Sequence, residues 1–243
     1  CLAATLNVRV EPPPGVQAEA LSVRLLPGGI SEVENDPPPP PWRAIPASGE
    51  FTLEATSPTA SLLIEFTGPG ARRARFAWPA ELANDPQSRS VHRLETGAAM
   101  EIFVTAAGTG RPVAGARLGP LSPTEDVSPE WLGKTYPFFA ESDAQGRIWI
   151  TGLIPGQAYE GVLSADSYQR RKIRLAPGGE RRFTLKQGGF LIAGEARGDR
   201  TGAPKPGILV RLNGGPENLQ ILRRADEKGR FAFGGLAEGN YLL

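Results

Sequence analysis

One pattern occurs twice in the sequence: residues 143–159 read DAQGRIWITGLIPGQAY, and residues 226–241 read DEKGRFAFGGLAEGNY. Each copy begins with an Asp-x-x-Gly turn and continues into a segment in which apolar residues alternate, such as Ile148 and Ile150 in the first copy. Such alternation places one face of a β-strand against a core, and Asp and Gly favour tight turns between strands. The pattern therefore predicts two β-sheet units of one design.

Two further similarities extend the repeat along the chain. Residues 110–118 (GRPVAGARL) resemble residues 202–210 (GAPKPGILV), and residues 48–53 are a weaker copy of the turn and strand. The chain has 243 residues, of which 30 are Gly and 24 are Pro, and both residue types interrupt helices. Since 40% of the residues are hydrophobic, the chain is expected to fold around buried cores. These features predict an all-β protein with little helix.

The repeated motifs resemble those of the carboxypeptidase regulatory-like domain, a transthyretin-like β-sandwich related in shape to Cna-B and immunoglobulin-like modules. The resemblance implies three tandem immunoglobulin-like or transthyretin-like β-sandwich domains. The first, a weak match, covers residues 1–98 with a Pro-rich insertion at 37–41, and the second covers 99–187. The third covers 188–243 and lacks its closing strands, either because the sequence stops within the domain or because something else completes it. Family members are usually non-catalytic extracytoplasmic modules for adhesion, scaffolding or attachment beside another domain.

The residue types that catalysis and metal binding need are scarce. The chain has one Cys (Cys1) and one His (His92), so neither a Cys–His nor a Ser–His–Asp arrangement is expected, and His92 is interpreted as an ordinary strand or loop residue. The Asp-x-x-Gly turns lack the acid density of a calcium loop. The formal net charge of +1 gives no general attraction to nucleic acid. We predict that the protein is not an enzyme, needs no cofactor and binds neither a metal nor nucleic acid.

Cys1 is a candidate lipid-attachment residue. In bacterial lipoproteins the mature chain begins with a Cys that carries the lipid anchor, and the only Cys of this sequence stands first. The alternative is that the sequence is cut arbitrarily at this point. With the anchor, the expected location is extracytoplasmic, in the periplasm or at the cell surface of a bacterium, with the N-terminus held at the membrane.

Trp149 breaks the repeat and is a candidate interface residue. If the isoleucines on either side of it face the core, Trp149 points outward. With a hairpin at the 143–146 turn, Ala140 would lie opposite Trp149, and Phe138 would share its outer face. An exposed Trp–Phe patch favours a partner surface. The alternative is that the loop around 120–136 or a neighbouring domain covers it.

Two other features complete the set of candidate interface residues. The Pro37–Pro41 run before Trp42 predicts a stiff polyproline II segment, either a plain insertion or a ligand for a partner's groove. Arg170, Lys172 and Arg174 share one face of a predicted strand, which is either solvated or in contact with an anionic lipid, glycan or protein. The cluster at 72–75 (RRAR) is interpreted in the same two ways, with the solvated face preferred.

These features favour a non-catalytic extracytoplasmic scaffold that is anchored through Cys1 and bridges protein subunits of a membrane or envelope assembly. One alternative is a carbohydrate-binding or cell-surface-binding adhesion module in which exposed Trp stacks on sugar rings. A second alternative is a set of accessory domains of a longer hydrolase or transporter. The expected partners are therefore protein subunits, the membrane through the lipid on Cys1, and in the adhesion alternative glycans.

Overall fold

The computed structural model describes residues 4–26, 40–55, 62–79, 81, 84–85, 87–119, 121–124, 140–177 and 179–243. Within these ranges the chain forms twenty β-strands and the short 3-10 helix Ala18–Ala20. The predicted all-β class is confirmed. The strands fall into an N-terminal region (residues 4–97), a central region (98–187) and a C-terminal region (188–243).

The N-terminal region has two sheets that enclose one core. Its strands are β1 (Ala4–Glu11), β2 (Ser22–Leu26), β3 (Arg43–Ala44), β4 (Glu50–Ala55), β5 (Leu63–Gly68), β6 (Ala71–Ala77) and β7 (Ser90–Arg93). One sheet has the order β4-β1-β7 and the other β3-β2-β5-β6. Alternating residues of β1, such as Leu6 and Val8, meet Ile64 and Phe66 of β5 in the core.

The central region repeats this plan. Its strands are β8 (Ala98–Ala106), β9 (Arg117–Leu118), β10 (Ser122–Pro123), β11 (Ala140–Glu141), β12 (Arg147–Leu153), β13 (Tyr159–Ser164), β14 (Arg171–Leu175) and β15 (Arg182–Leu185). One sheet has the order β12-β8-β15, and the other joins β10, β13, β9, β11 and β14. Ile102 of β8 and Phe183 of β15 pack with Leu118 and Tyr159 from the opposite sheet.

The C-terminal region has five described strands: β16 (Phe190–Glu195), β17 (Leu209–Gly214), β18 (Leu219–Arg224), β19 (Arg230–Leu236) and β20 (Tyr241–Leu242). They form a two-stranded sheet, β16-β19, and a three-stranded sheet, β18-β17-β20. The described buried residues form separate core clusters of sixteen, seventeen and five members in the N-terminal, central and C-terminal regions. The division into three domains at residues 98 and 187 stays a prediction that agrees with these clusters.

The repeat seen in the sequence is also a repeat of strand register. Ile150 lies opposite Met100 in the β12–β8 pair, and Phe233 lies opposite Ile192 in the β19–β16 pair. Both pairs then shift register before a final leucine pairing, Leu153 with Ala98 and Leu236 with Phe190. A β-bulge at the same place in two strand pairs shows that both copies of the motif build the same element.

The turn that begins each copy is held by its aspartate. Asp143 Oδ1 accepts hydrogen bonds from the N–H groups of Gln145 (3.0 Å) and Arg147 (2.9 Å), and Gly146 has a φ of +73°. Asp226 bonds the corresponding N–H groups in the second copy. These backbone hydrogen bonds come first among the causes that hold the pKa of Asp143 and Asp226 below the ordinary range, and an Arg–carboxylate ion pair in each turn adds to them.

The predicted hairpin that placed Ala140 opposite Trp149 is wrong. Ala140 pairs with Leu118 of β9, whereas Trp149 lies opposite Glu101 of β8. The Asp143–Gly146 turn connects β11 to β12, which belong to different sheets, so the chain crosses the sandwich at this point. An Asp-x-x-Gly sequence specifies a tight turn but not whether the two flanking strands pair with each other.

Candidate partner-binding surfaces

The first candidate site is the outer edge of β16. In the N-terminal region β1 is flanked by antiparallel β4 and parallel β7, and in the central region β8 is flanked by antiparallel β12 and parallel β15. In the C-terminal region β16 pairs with antiparallel β19, and no described strand lies on its other side. We refer to this position as the β16 edge.

A comparison with β8 shows which backbone N–H groups of β16 face this edge. Phe103 N–H donates to the Arg181 carbonyl on the β15 side (2.7 Å), while Val104 N–H donates to the Gly146 carbonyl on the other side (2.7 Å). Ala196 N–H donates to the Gly229 carbonyl (2.8 Å), the arrangement found for Val104. Since successive N–H groups of a strand alternate in direction, those of Glu195 and Arg197, which correspond to Phe103 and Thr105 beside β15, point to the β16 edge.

The apolar side chains of β16 are exposed. Phe190 is 58% and Leu191 67% accessible, and no residue of β16 is buried. In β8, by contrast, Met100, Ile102 and Val104 are all buried. Exposed apolar residues gathered on one strand are a common mark of a protein-binding surface.

Trp149, the second candidate, does point outward. Its side chain is 59% accessible, while Ile148 and Ile150 are fully buried. Beside it lies a shallow depression lined by Trp149, Ala140 and four charged residues, Glu101, Glu141, Asp143 and Arg147. Arg147 forms ion pairs with Asp143 (2.9 Å) and Glu101 (3.6 Å). Phe138, the predicted neighbour of Trp149, lies outside the described residues.

Trp42 contacts arginines of its own region. The half-buried indole ring lies 4.1 Å from the Arg24 guanidinium carbon and 5.1 Å from that of Arg73, which is cation–π geometry. Part of the ring face is therefore in contact with two arginines of the same chain. The partner-interface role predicted for Trp42 stays untested. Residues 37–39 of the Pro-rich segment lie outside the described residues.

The arginines under Trp42 belong to a buried charge cluster that the sequence interpretation missed. Glu65, completely buried in β5, accepts hydrogen bonds from the Nε atoms of Arg24 (2.6 Å), Arg73 (2.7 Å) and Arg75 (2.8 Å). Burial raises the pKa of Glu65, but the charges of Arg73, Arg75 and Arg24 together outweigh it and hold the pKa below the ordinary value. Burial also lowers the pKa of Arg73 to about 10, so that Arg73 stays charged at neutral pH.

The charge cluster lies where the N-terminal and central regions meet. A Cβ atom on Gly152 of β12 would stand 2.8 Å from the Cβ of Arg73, so β12 packs directly onto β6. Nearby, Gly97 N–H donates to the Gly70 carbonyl (2.8 Å), and Arg72 N–H donates to that of Glu95 (2.8 Å). The solvated face expected for the 72–75 cluster is therefore wrong for Arg73 and Arg75, which are both buried. The available signal was Glu65 itself, an acid within an apolar strand.

The structure separates the three residues predicted to share a basic strand face. Arg170 lies before β14, and its backbone N–H and Nε donate to the carbonyls of Gly235 and Gly234, both at 2.7 Å. It therefore joins the central region to the C-terminal region. Lys172 and Arg174 do lie on the exposed face of β14, where Lys172 pairs with Glu160 (2.7 Å) and Arg174 lies opposite Glu160.

His92 is a core residue of β7. It is 6% accessible, its Nε2 lies 2.9 Å from Ser90 Oγ, and its ring lies 4.4 Å from the ring of Phe76. Burial lowers its pKa to about 4, so the ring is neutral at pH 7. Although Ser and His are paired here, both are buried, and a substrate has no access to them.

The described ranges contain no cluster of three or more His, Cys, Asp or Glu that could hold a metal ion. No helix in the same ranges is long and apolar enough to span a membrane. Cys1 lies outside the described residues, and lipid attachment stays a prediction.

Comparisons with known proteins do not identify a family. No family model matches the chain, and no curated protein matches it. Similar solved structures include the shaft pilin SpaA from Lactobacillus rhamnosus GG, which is 11% identical with a TM-score of 0.33 over 78% of this chain and 99% of that chain. They also include a streptococcal ancillary pilin (13% identical, TM-score 0.27, 99% of this chain and 88% of that chain) and BcpA, the major pilin subunit of Bacillus cereus (7% identical, TM-score 0.26, 99% and 87%). TM-scores this low assign neither a family nor a function, and the carboxypeptidase regulatory-like resemblance is not confirmed.

Proposed function

We propose that the protein is a non-catalytic extracytoplasmic scaffold that binds a partner protein by strand pairing at the β16 edge. The observation that carries the proposal is the comparison of first strands: parallel β7 flanks β1, parallel β15 flanks β8, and no described strand takes the corresponding place beside β16. An unpaired strand edge with exposed apolar side chains is a template for an incoming strand.

The chemistry of the partner strand follows from β15. In β15, Phe183 and Leu185 are buried while Arg182 and Thr184 are exposed, so every second side chain enters the central core. A strand at the β16 edge, placed as β15 is beside β8, would accept hydrogen bonds from the N–H groups of Glu195 and Arg197 and place its own apolar side chains over the small C-terminal core. Burying one large apolar side chain is worth roughly 1.5–3 kcal/mol.

The connections between regions support a scaffold role. The close packing of Gly152 in β12 against Arg73 in β6 joins the central region to the N-terminal region, and the hydrogen bonds of Arg170 hold the central region against the C-terminal region. Docking surfaces on different regions would therefore keep fixed relative positions. In the same proposal the protein is extracytoplasmic, and a lipid on Cys1 holds it at the membrane of a bacterial envelope assembly.

The proposal is tested with a peptide that copies β15. Residues 181–187 (RRFTLKQ) form the parallel strand beside β8, and the register repeat predicts that the same sequence fits the β16 edge. We expect a labelled RRFTLKQ peptide to bind the full chain and a control peptide, RRSTSKQ, to bind more weakly, because serine replaces both apolar residues. Fluorescence anisotropy measures both affinities.

A second control separates strand pairing from unspecific apolar contact. Proline at residue 195 removes an N–H group that points to the β16 edge, whereas the hydrogen bonds to β19 come from the other set of N–H groups. Glu195→Pro should abolish peptide binding while the circular dichroism of the β-sheet is kept. Equal binding of both peptides to the wild-type chain, or no binding of either, would overturn the proposal.

A second candidate function, carbohydrate binding, rests on the depression beside Trp149. An exposed indole ring next to Glu101, Asp143 and Arg147 offers a stacking face and polar groups for sugar hydroxyls. Wild type and Trp149→Ala are compared on a glycan panel. A sugar retained by the wild type alone supports this function, and no sugar retained by either protein removes it.

A further inference from the structure

A cleft of about 860 Å³ lies between the central and C-terminal regions. One wall is β18, the opposite wall is β13 with the turn that follows it, and the floor is the connection at residues 187–189 and 234–235. The two walls are held together, because Val162 of β13 packs against the core of the C-terminal region and Arg170 donates hydrogen bonds to the carbonyls of residues 234 and 235. Its volume lies within the range of specific ligand sites, which are common between domains. We call it the joint cleft.

Most charged groups of the joint cleft are already engaged within the chain. Glu160 pairs with Lys172 at 2.7 Å, and Arg117 pairs with Glu141 at 3.6 Å. The lining also holds two arginines that are bound within the chain, one further arginine and one acid: Arg170, Arg223, Arg211 and Asp166. Charges that are engaged in this way favour an uncharged ligand over a charged one.

Uncharged polar side chains are numerous on both walls of the joint cleft. Six lining residues carry a hydroxyl or amide group: Ser122, Ser164, Ser167, Gln187, Asn218 and Gln220. Ser164 shares the outward face of β13 with Glu160 and Val162, which also line the cleft. Hydroxyl and amide groups both donate and accept hydrogen bonds, as the hydroxyls of a sugar do. The lining therefore suits a neutral ligand that is rich in hydroxyl groups.

The backbone conformation of Ser167 marks the same place. Its φ is +66°, a region that residues other than Gly, Asn and Asp rarely adopt. Three non-glycine residues of the described ranges have a positive φ, and two of them, Ser167 and Asn218, line the joint cleft. Asn is common in this conformation in turns, whereas Ser is not. Residues held in such conformations concentrate at ligand sites, so the serine at this position favours a binding role for its hydroxyl.

The ligand class follows from the groups around the β18 edge. β18 pairs with β17, and among the described strands none pairs with its other side, which borders the cleft. A peptide strand added there would need pockets for its alternate side chains. The lining instead offers Ser164 on one wall and Gln220 on the other, and half-buried Tyr168 offers an aromatic ring on which a sugar ring can stack.

We propose that the joint cleft binds a neutral oligosaccharide, which stacks on Tyr168 and whose hydroxyls are bound by Ser164, Ser167 and Gln220. This inference does not rest on the function proposed for the β16 edge, since β16 contributes no residue to the lining. It shares a ligand class with the second candidate function but not a residue, because Trp149 does not line the joint cleft. Variants at Ser167 and Trp149 therefore distinguish the two sites.

The experiment titrates the full chain with four neutral trisaccharides: maltotriose, cellotriose, mannotriose and triacetylchitotriose. Isothermal titration calorimetry measures the affinities, and we expect at least one trisaccharide to bind. Ser167→Gly should weaken that binding by about three- to tenfold, because one hydrogen bond is lost, and should raise the Tm, because glycine adopts a φ of +66° without strain. Weaker binding by a more stable protein cannot come from a structural defect.

The matched control is Asn84→Gly in the N-terminal region. Asn84 also has a φ of +66° but lies outside the joint cleft, so this variant should leave the affinity unchanged. Ser164→Ala, on the opposite wall from β18, should weaken binding by about as much as Ser167→Gly. Trp149→Ala should have no effect on the affinity.

Three results would overturn the proposal. One is that none of the four trisaccharides binds, and another is that the affinity is unchanged in both Ser167→Gly and Ser164→Ala. The third is that Trp149→Ala abolishes the binding, which would assign the sugar to the depression beside Trp149. A labelled neutral hexapeptide, VTVTVT, covers the remaining ligand class: its binding without that of any trisaccharide assigns the cleft to an extended peptide and also overturns the proposal.

These outcomes are separate from those for the β16 edge. Binding of RRFTLKQ should be unaffected by Ser167→Gly, whereas binding of the trisaccharide should be unaffected by Glu195→Pro. Failure of one ligand therefore leaves the other site standing.

Discussion

The central and C-terminal regions share a strand register and differ in how their first strands are flanked. β8 lies between β12 and β15, and its inward residues are buried; β16 pairs only with β19 among the described strands, and none of its residues is buried. Both strands carry apolar residues, so the difference does not come from local propensity. It comes from the neighbouring strand, which in the central region contributes Phe183 and Leu185 to the core. The N-terminal region follows the same plan as the central region. His92 of β7 and Leu94, which follows β7, are buried beside β1 as Phe183 and Leu185 are beside β8.

The largest expected effect tests the contribution of the flanking strand. Phe183→Ala in β15 should lower the free energy of unfolding of the central region by about 3–5 kcal/mol, because it leaves a cavity in a closed core. Phe190→Ala in β16 removes the same ring from an exposed position and should change stability by about 0.5 kcal/mol or less. Urea unfolding, followed by backbone hydrogen exchange in each region, measures both. A loss at Phe190 comparable to that at Phe183 would show that β16 is already covered.

A second prediction concerns β7, the flanking strand of the N-terminal region. The pKa of His92 is about 4 in the folded chain and about 6.5 in the unfolded chain, so between these values the unfolded state binds a proton that the folded state does not. The free energy of unfolding is therefore undiminished above about pH 6.5 and should fall by about 3 kcal/mol as the pH is lowered to about 4.

The measurement is the pH dependence of urea unfolding of the N-terminal region, with His92→Gln as the control. His92→Gln is expected to have a lower free energy of unfolding at neutral pH. Its free energy of unfolding should not show the fall that His92 causes between about pH 6.5 and about pH 4. An identical slope in both proteins would mean that His92 is protonated in the folded core, contrary to its packing against Phe76.

A smaller effect is expected at the connection between the central and C-terminal regions. Gly235 has a φ of +67°, and a Cβ atom there would stand 2.6 Å from the Tyr168 carbonyl oxygen. Gly235→Ala should therefore weaken the hydrogen bond between Arg170 N–H and the Gly235 carbonyl and cost about 1–3 kcal/mol. Gly234→Ala is the matched control, since its nearest contact is Leu191 Cδ1 at 3.9 Å. Equal amide exchange rates at Arg170 in both variants would contradict this assignment.

The sequence predicted those features that depend on nearest neighbours along the chain. Alternation gave the strands around Ile148 and Phe231, and it placed Trp149 on an outer face. It could not show that the 143–146 turn crosses between sheets, because the same Asp and Gly chemistry serves both kinds of connection. Glu65 and its three arginines were missed since they lie on three strands, β5 for Glu65, β2 for Arg24 and β6 for Arg73 and Arg75, and only sheet pairing brings them together. The role of Arg170 likewise depends on a contact with a distant strand.

The central claim is that the N–H groups of Glu195 and Arg197 are free to receive a partner strand. Hydrogen exchange of single backbone amides, measured by NMR with and without the RRFTLKQ peptide, tests it most directly. The amides of Glu195 and Arg197 should exchange rapidly in the chain alone and become protected when the peptide binds, while Phe103, already bonded to Arg181, stays protected throughout. Protection of Glu195 and Arg197 equal to that of Phe103 without the peptide, or no change when the peptide is added, would contradict the claim.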